Sequence, residues 1–121
     1  MTTPDNGNPG DATLLAALDL SRADAWRSLA DLNENLRDLV DEACDLLYEI
    51  GAVSPAYHWM QHNAPSPAPD GTLNPADAIR LATTIIRAER FGEGHIDAAV
   101  RNGVLQAVIA ALVTWYRISP A

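Results

Sequence analysis

Between residues 21 and 50 the apolar positions recur at a helical spacing. Leu29, Leu32, Leu36, Leu39, Ala43, Leu46 and Ile50 step by 3, 4, 3, 4, 3 and 4, which places all seven on one face of a helix. On the other side Asp31, Glu34, Asp38, Asp41, Asp45 and Glu49 step by 3, 4, 3, 4 and 4. The pattern predicts a long helix with one apolar side and one line of carboxylates. Ser21 is its expected N-cap, with Asp24 in the capping-box position, and Gly51 its natural C′ residue. Asp and Asn are poor interior residues, so the pattern leaves room for a break near Asp31–Asn35.

The same reading predicts a short helix from Ala12 or Thr13 to about Leu20. Residues 51–74 are irregular: a turn over Ala56–Asn63 with Trp59 facing the core, then a proline-rich loop over 64–73, extended and solvated. Asn74-Pro75-Ala76-Asp77 is a helix start, with Asn as cap, Pro in the first turn and Asp near the positive helix end. That helix runs to about Arg90. Gly92 and Gly94 break it, His95–Arg101 makes roughly two turns, and Val104 to about Arg117 forms a last helix. It carries Leu105, Val108, Ile109, Leu112, Val113 and Tyr116 along one stripe. The predicted fold is all-α, a compact irregular bundle of about four to five helices. It is expected to occupy residues 12–118 as a single domain, with residues 1–11 as a disordered tail.

Composition and charge narrow the function. The chain has 121 residues, 48% of them apolar, enough for one modest core. Its net charge is −8. Residues 1–50 hold eleven acids and three arginines, while residues 51–121 hold five of each, so the whole imbalance lies in the first half. There is no lysine, which removes Schiff-base chemistry and the phosphate-loop lysine. A basic face for direct nucleic-acid binding is not expected, nor is a membrane span. The N-terminal stretch lacks the basic start and apolar run of a signal peptide. With a single cysteine, Cys44, this points to a cytoplasmic protein.

The densest polar group beside apolar sequence is Arg87-Ala88-Glu89-Arg90-Phe91-Gly92-Glu93-Gly94-His95-Ile96. Arg87 and Arg90 suit an anion such as a phosphate or carboxylate. Glu93 and His95 suit acid/base work. The simpler account ranks above both: a corner between two helices, with Phe91 filling the gap and a glycine supplying positive φ. His58 and His62 are four apart, but the position after the first, where a metalloprotease motif needs glutamate, is Trp59. Cys44 sits among acids, which disfavour its thiolate. Ser54, Ser66 and Ser119 lack a nucleophile-elbow setting. No catalytic residue, metal or cofactor is predicted.

The corner also carries a family resemblance. Leu47-Tyr48-Glu49-Ile50-Gly51, Tyr57-His58-Trp59, Arg87-x-x-Arg90-Phe91-x-x-Gly94-His95 and Asn102-Gly103-Val104-Leu105 resemble the motifs of a bacterial and phage family of small helical domains of unknown function. The likeness spans about residues 36–116. Where such members read Phe-Asp-Trp, this chain has Tyr-His-Trp, so no acidic role carries over. The resemblance implies a helical fold and no activity. The leading expectation is a non-enzymatic interaction or regulatory module. It would use the carboxylate line (Asp31, Glu34, Asp38, Asp41, Asp45, Glu49) for a basic protein partner, or the seven-residue apolar series as a homodimer seam. The alternatives are a small enzyme or anion-binding domain on Arg87, Arg90, Glu93 and His95, and an acidic decoy of nucleic acid.

Overall fold

A computed structural model describes residues 10–61 and 65–119. Residues 1–9 of the expected tail, and His62 with the first residue of the proline-rich loop, lie outside the described residues. The fold is all-α. Six helices follow one another: α1 (Asp11–Ala16), α2 (Ala23–Leu32), α3 (Val40–Glu49), α4 (Pro75–Glu89), α5 (His95–Arg101) and α6 (Val104–Ile118). Short 3-10 segments occupy Asn33–Asp38 and Trp59–Gln61. The count exceeds the expected four to five because the long 21–50 helix is two helices.

The split falls where Asp and Asn accumulate. Asn35 (φ −120°, ψ 35°) and Leu39 (φ −125°, ψ 28°) leave helical geometry. α2 and α3 then fold back on each other, and Arg22 before α2 reaches Glu49 at the end of α3 with an N–O distance of 3.1 Å. Two expectations change as a result. The six carboxylates are all exposed, but they double back at the kink instead of forming one straight row. The apolar series is largely spent inside the chain: Leu29, Leu32, Leu36, Ala43 and Ile50 are buried, with Leu39 and Leu46 half-buried. Ser21 is not the cap either. α2 starts after Arg22, and the Ser21 amide and hydroxyl both donate to the Asp19 carboxylate.

α4 is the hub. Nine of its fifteen residues are buried, among them Ala76, Ala78, Ala82 and Ala88. Small side chains let neighbouring helices approach closely, and α1, α5 and α6 all pack on it. Its start is as predicted: the Asn74 carboxamide accepts from the Ala76 and Asp77 amides, at 2.8 and 3.4 Å, with Pro75 at N1. Arg80 ties α1 to α4 by pairing with both Asp11 and Asp77, so Asp11, placed in the tail by sequence, opens α1. Thr83, fully buried, accepts from the Ser54 amide at 2.9 Å and donates to the Ile79 carbonyl at 2.8 Å.

Trp26 closes the other side. It is 1% exposed and stacks on Tyr116 of α6, with ring centroids 4.6 Å apart and 9° between planes. Its indole N–H donates to the Asp19 carbonyl at 2.9 Å. α3 ends as expected on Gly51 (φ 85°). The Ala52 amide returns to the Leu47 carbonyl and the Gly51 amide to Tyr48, which is a Schellman closure.

A Cβ on Gly51 would lie 2.4 Å from the Ala17 carbonyl oxygen, whereas a Cβ on Gly94 (φ 101°) would meet open space. Gly51→Ala is therefore expected to cost about 2–3 kcal/mol, combining left-handed strain with a backbone clash. Gly94→Ala carries the strain alone, about 1–2 kcal/mol. Urea unfolding of the two variants measures the difference; equal losses would mean that the α1 turn does not press on Gly51.

Candidate functional site

The corner between α4 and α5 is built from the backbone outward. After Glu89 the last carbonyls of α4 are closed by tight returns: the Phe91 and Gly92 amides donate to the Ala88 carbonyl, and the Arg90 amide to Arg87. Gly94 then serves as the N-cap of α5 with left-handed backbone and no side chain to cap with. The cap comes from α4. The two oxygens of Glu89 accept the Ile96 amide at 2.8 Å and the Gly94 amide at 3.3 Å. These bonds, the Ile96 amide foremost, hold the Glu89 carboxyl below its ordinary value. The anion at the start of α5 is thus the chain's own. Sequence reasoning singled out Glu93 and His95 at this corner and passed over Glu89. The overlooked signal was that a glycine N-cap needs an acceptor from elsewhere, and Glu89 is the acid on the preceding helical turn.

The four residues singled out from sequence sit on this corner without bonding one another among the described residues. Arg87 is half-buried, and its Nε is enclosed without an acceptor. Arg90 is exposed and donates to the Tyr48 hydroxyl of α3 at 3.4 Å. Glu93 and His95 are exposed.

Phe91 corrects a second expectation. It does not plug the gap between helices: it is 76% exposed and tilts against Trp59, with ring centroids 6.0 Å apart. Trp59 in turn is only half-buried. The core position expected for it belongs to Tyr57, which is buried. Met60 (73% exposed) continues this surface from Trp59, and Tyr48 (44% exposed) joins it through Arg90. The ring contact and the Arg90 bond thereby link Tyr48, Arg90, Phe91 and Trp59, drawn from α3, the α4–α5 corner and the 3-10 turn after α3, with exposed Met60 next to Trp59 in the chain.

Carboxylates flank it. Cys44 of α3 is pushed up to about 11 by burial and then by the charges of Asp41, Asp45 and Glu89. Acids of α3 and α4 therefore act on one locality between the two helices, and the thiol there stays protonated at neutral pH.

A groove of about 350 Å³ lies toward the opposite end of α4, between the proline-rich loop and α6. Leu73, Ala107, Ala111, Trp115 and Ile118 make its walls, and Asp70 supplies its one carboxylate. That carboxylate is occupied by the Thr72 hydroxyl and amide, within a turn closed by the Gly71 amide on Ala68. The loop is thus partly folded where the sequence suggested an extended strand of chain. Among the described residues no group of three or more His, Cys, Asp or Glu is placed to hold a metal ion. His62 of the histidine pair lies outside them. No single helix among the described residues is long and apolar enough to cross a membrane.

A family model described as a family of unknown function matches residues 25–118, from α2 through the corner to the end of α6. No curated protein and no solved structure matches the chain.

Because the folded-state pKa of Glu89 lies below its ordinary 4.5, its stabilisation is present above that value. It is lost as pH falls through the folded pKa. Glu89→Gln is expected to lower the melting temperature at pH 7 and to narrow the gap from wild type as pH approaches 3; a gap independent of pH would refute the cap. Cys44 is expected to react with a thiol-specific disulfide reagent at neutral pH far more slowly than free cysteine, a rate read directly by absorbance.

Proposed function

The chain belongs to the family of unknown function DUF6508, whose match spans α2 to α6, and from its geometry we propose a small non-enzymatic protein-interaction module that docks on the aromatic corner. The observation that carries this reading is the exposure of Phe91 and Met60 beside Trp59, Tyr48 and Arg90. Aromatic residues, methionine and arginine are the side chains enriched in the centres of protein interfaces. Large aromatic rings left in water forgo burial worth about 1.5–3 kcal/mol each, and a partner surface recovers it.

The platform beneath the patch is hydrogen-bonded at three points. The Tyr48 helix ends in the Schellman closure, the Thr83–Ser54 bond fixes the chain leading to Trp59, and Glu89 fixes the corner that carries Phe91. Binding to a preordered surface loses little conformational entropy. Acid/base catalysis finds less support at the same place. The carboxylate that is held in position, Glu89, has its oxygens spent on backbone amides. Glu93 and His95 stand exposed on the outside of the turn.

Phe91→Asp is expected to leave the circular dichroism spectrum and melting temperature close to wild type while abolishing recovery of the partner in quantitative co-purification from native cells. Ile118→Asp, on the rim of the distant groove and equally exposed, is expected to retain it. If Phe91→Asp keeps every partner and Ile118→Asp loses them, the corner is not the docking surface.

A further inference from the structure

Resting on that reading, we propose that the segment docking on the corner is a basic peptide carrying a bulky apolar anchor. The apolar half of the argument is the Trp59–Phe91 pair, whose tilted rings stand 6.0 Å apart, Phe91 exposed and Trp59 half-buried. An aliphatic or aromatic side chain laid across them would be covered by both rings. The charged half is on α3. Asp41, Asp45 and Tyr48 are spaced four and three apart, so they share one helix face. Tyr48 belongs to the patch, and the two aspartates continue from it as a strip of exposed carboxylate.

That strip forms no ion pair among the described residues, although Arg37 lines the same hollow as Asp41. Among the described residues, Arg22 is taken by Asp19 and Glu49, Arg27 by Asp24, Arg80 by Asp11 and Asp77, and Arg101 by Asp97. Asp41 and Asp45 have no ion-pair partner in that set, and both bear on the Cys44 thiol together with Glu89. α3 and the corner hold Asp41, Glu42, Asp45, Glu49, Glu89 and Glu93 against Arg87 and Arg90, so their balance is negative, as is that of the whole chain. Arg90 already leans on Tyr48, which leaves the aspartate strip as the part of the rim that a partner must neutralise. Lysines or arginines one or two helical turns from the anchor meet it. An acidic or neutral segment would leave it unpaired and repelled.

The test uses two labelled synthetic helical peptides of equal length, one of leucine and lysine and one of leucine and glutamate, titrated against the full chain by fluorescence anisotropy. The lysine peptide is expected to bind, weakening severalfold between about 50 and 300 mM salt, while the glutamate peptide does not bind. Phe91→Asp and the double variant Asp41→Lys/Asp45→Lys are each expected to weaken the lysine peptide at least tenfold. Asp24→Lys/Asp97→Lys, which changes net charge equally but elsewhere, is expected to leave it near wild type. Equal binding of both peptides, lost in Phe91→Asp, would overturn the basic partner and leave the docking corner standing. Equal weakening by the two double variants would reduce the effect to general charge attraction and overturn the proposal. So would binding of neither peptide, in which case the Phe91→Asp co-purification still decides the module reading separately.

Discussion

Thr83 sits at zero exposure in the middle of α4, and its hydroxyl is fully employed. It returns a hydrogen bond to its own helix at Ile79 and takes one from the Ser54 amide. A buried amide without an acceptor is costly, of order 1–3 kcal/mol, so the chain after α3 has one place to lie against α4. Ala52, Val53, Ser54 and Tyr57 are all buried along this crossing. The helices on the other sides of α4 need its alanines for close approach, and the irregular crossing needs its threonine. Where that crossing leaves α4, the 3-10 turn brings Trp59 to Phe91. The exposed corner is thus a downstream result of a bond in the core.

The corner keeps its aromatic ring outside for a backbone reason. The amides of Phe91 and Gly92 are both spent on the Ala88 carbonyl, and the amides beyond them on Glu89. Turning Phe91 inward would break this closure at both helix ends. The ring is held out by the same hydrogen bonds that make the turn. A fold that needs such a turn does not need phenylalanine in it, and this separates the geometry of the corner from its chemistry.

Local signals in the sequence were sufficient for local features. Asn74-Pro75 and Gly51 determine caps through their own dihedrals and side chains, and α4, α5 and α6 end within about a residue of their predicted limits. The kink at Asn35–Leu39 was harder to see. A 3-10 segment repeats every three residues and an α-helix every 3.6, so Leu32, Leu36 and Leu39 keep a plausible spacing through the break. The carboxylates on the opposite side inherit the same ambiguity, and their straight row was an artefact of it. For the candidate site, the arginines, Glu93 and His95 lie along the α4–α5 junction but do not bond one another among the described residues. The exposed patch was not foreseen, because the outward position of Phe91 is set by the backbone bonds of its turn. Glu89 was passed over because its partners are amides, which no side-chain pattern records.

The stack of Trp26 on Tyr116 joins positions 90 residues apart, and it has a kinetic side. Helical bundles usually fold fast because their contacts are local. Here the largest buried ring of the first half finds its stacking partner on the last helix. Closing so long a loop costs entropy that local helix formation does not repay. During synthesis α2 and α3 emerge long before α6, and until α6 follows, Trp26 and Leu29 have no lid. The nascent first half is therefore acidic on one side and open on the other. Its carboxylates would repel neighbouring chains in the same state, keeping the uncovered apolar side from associating while it waits.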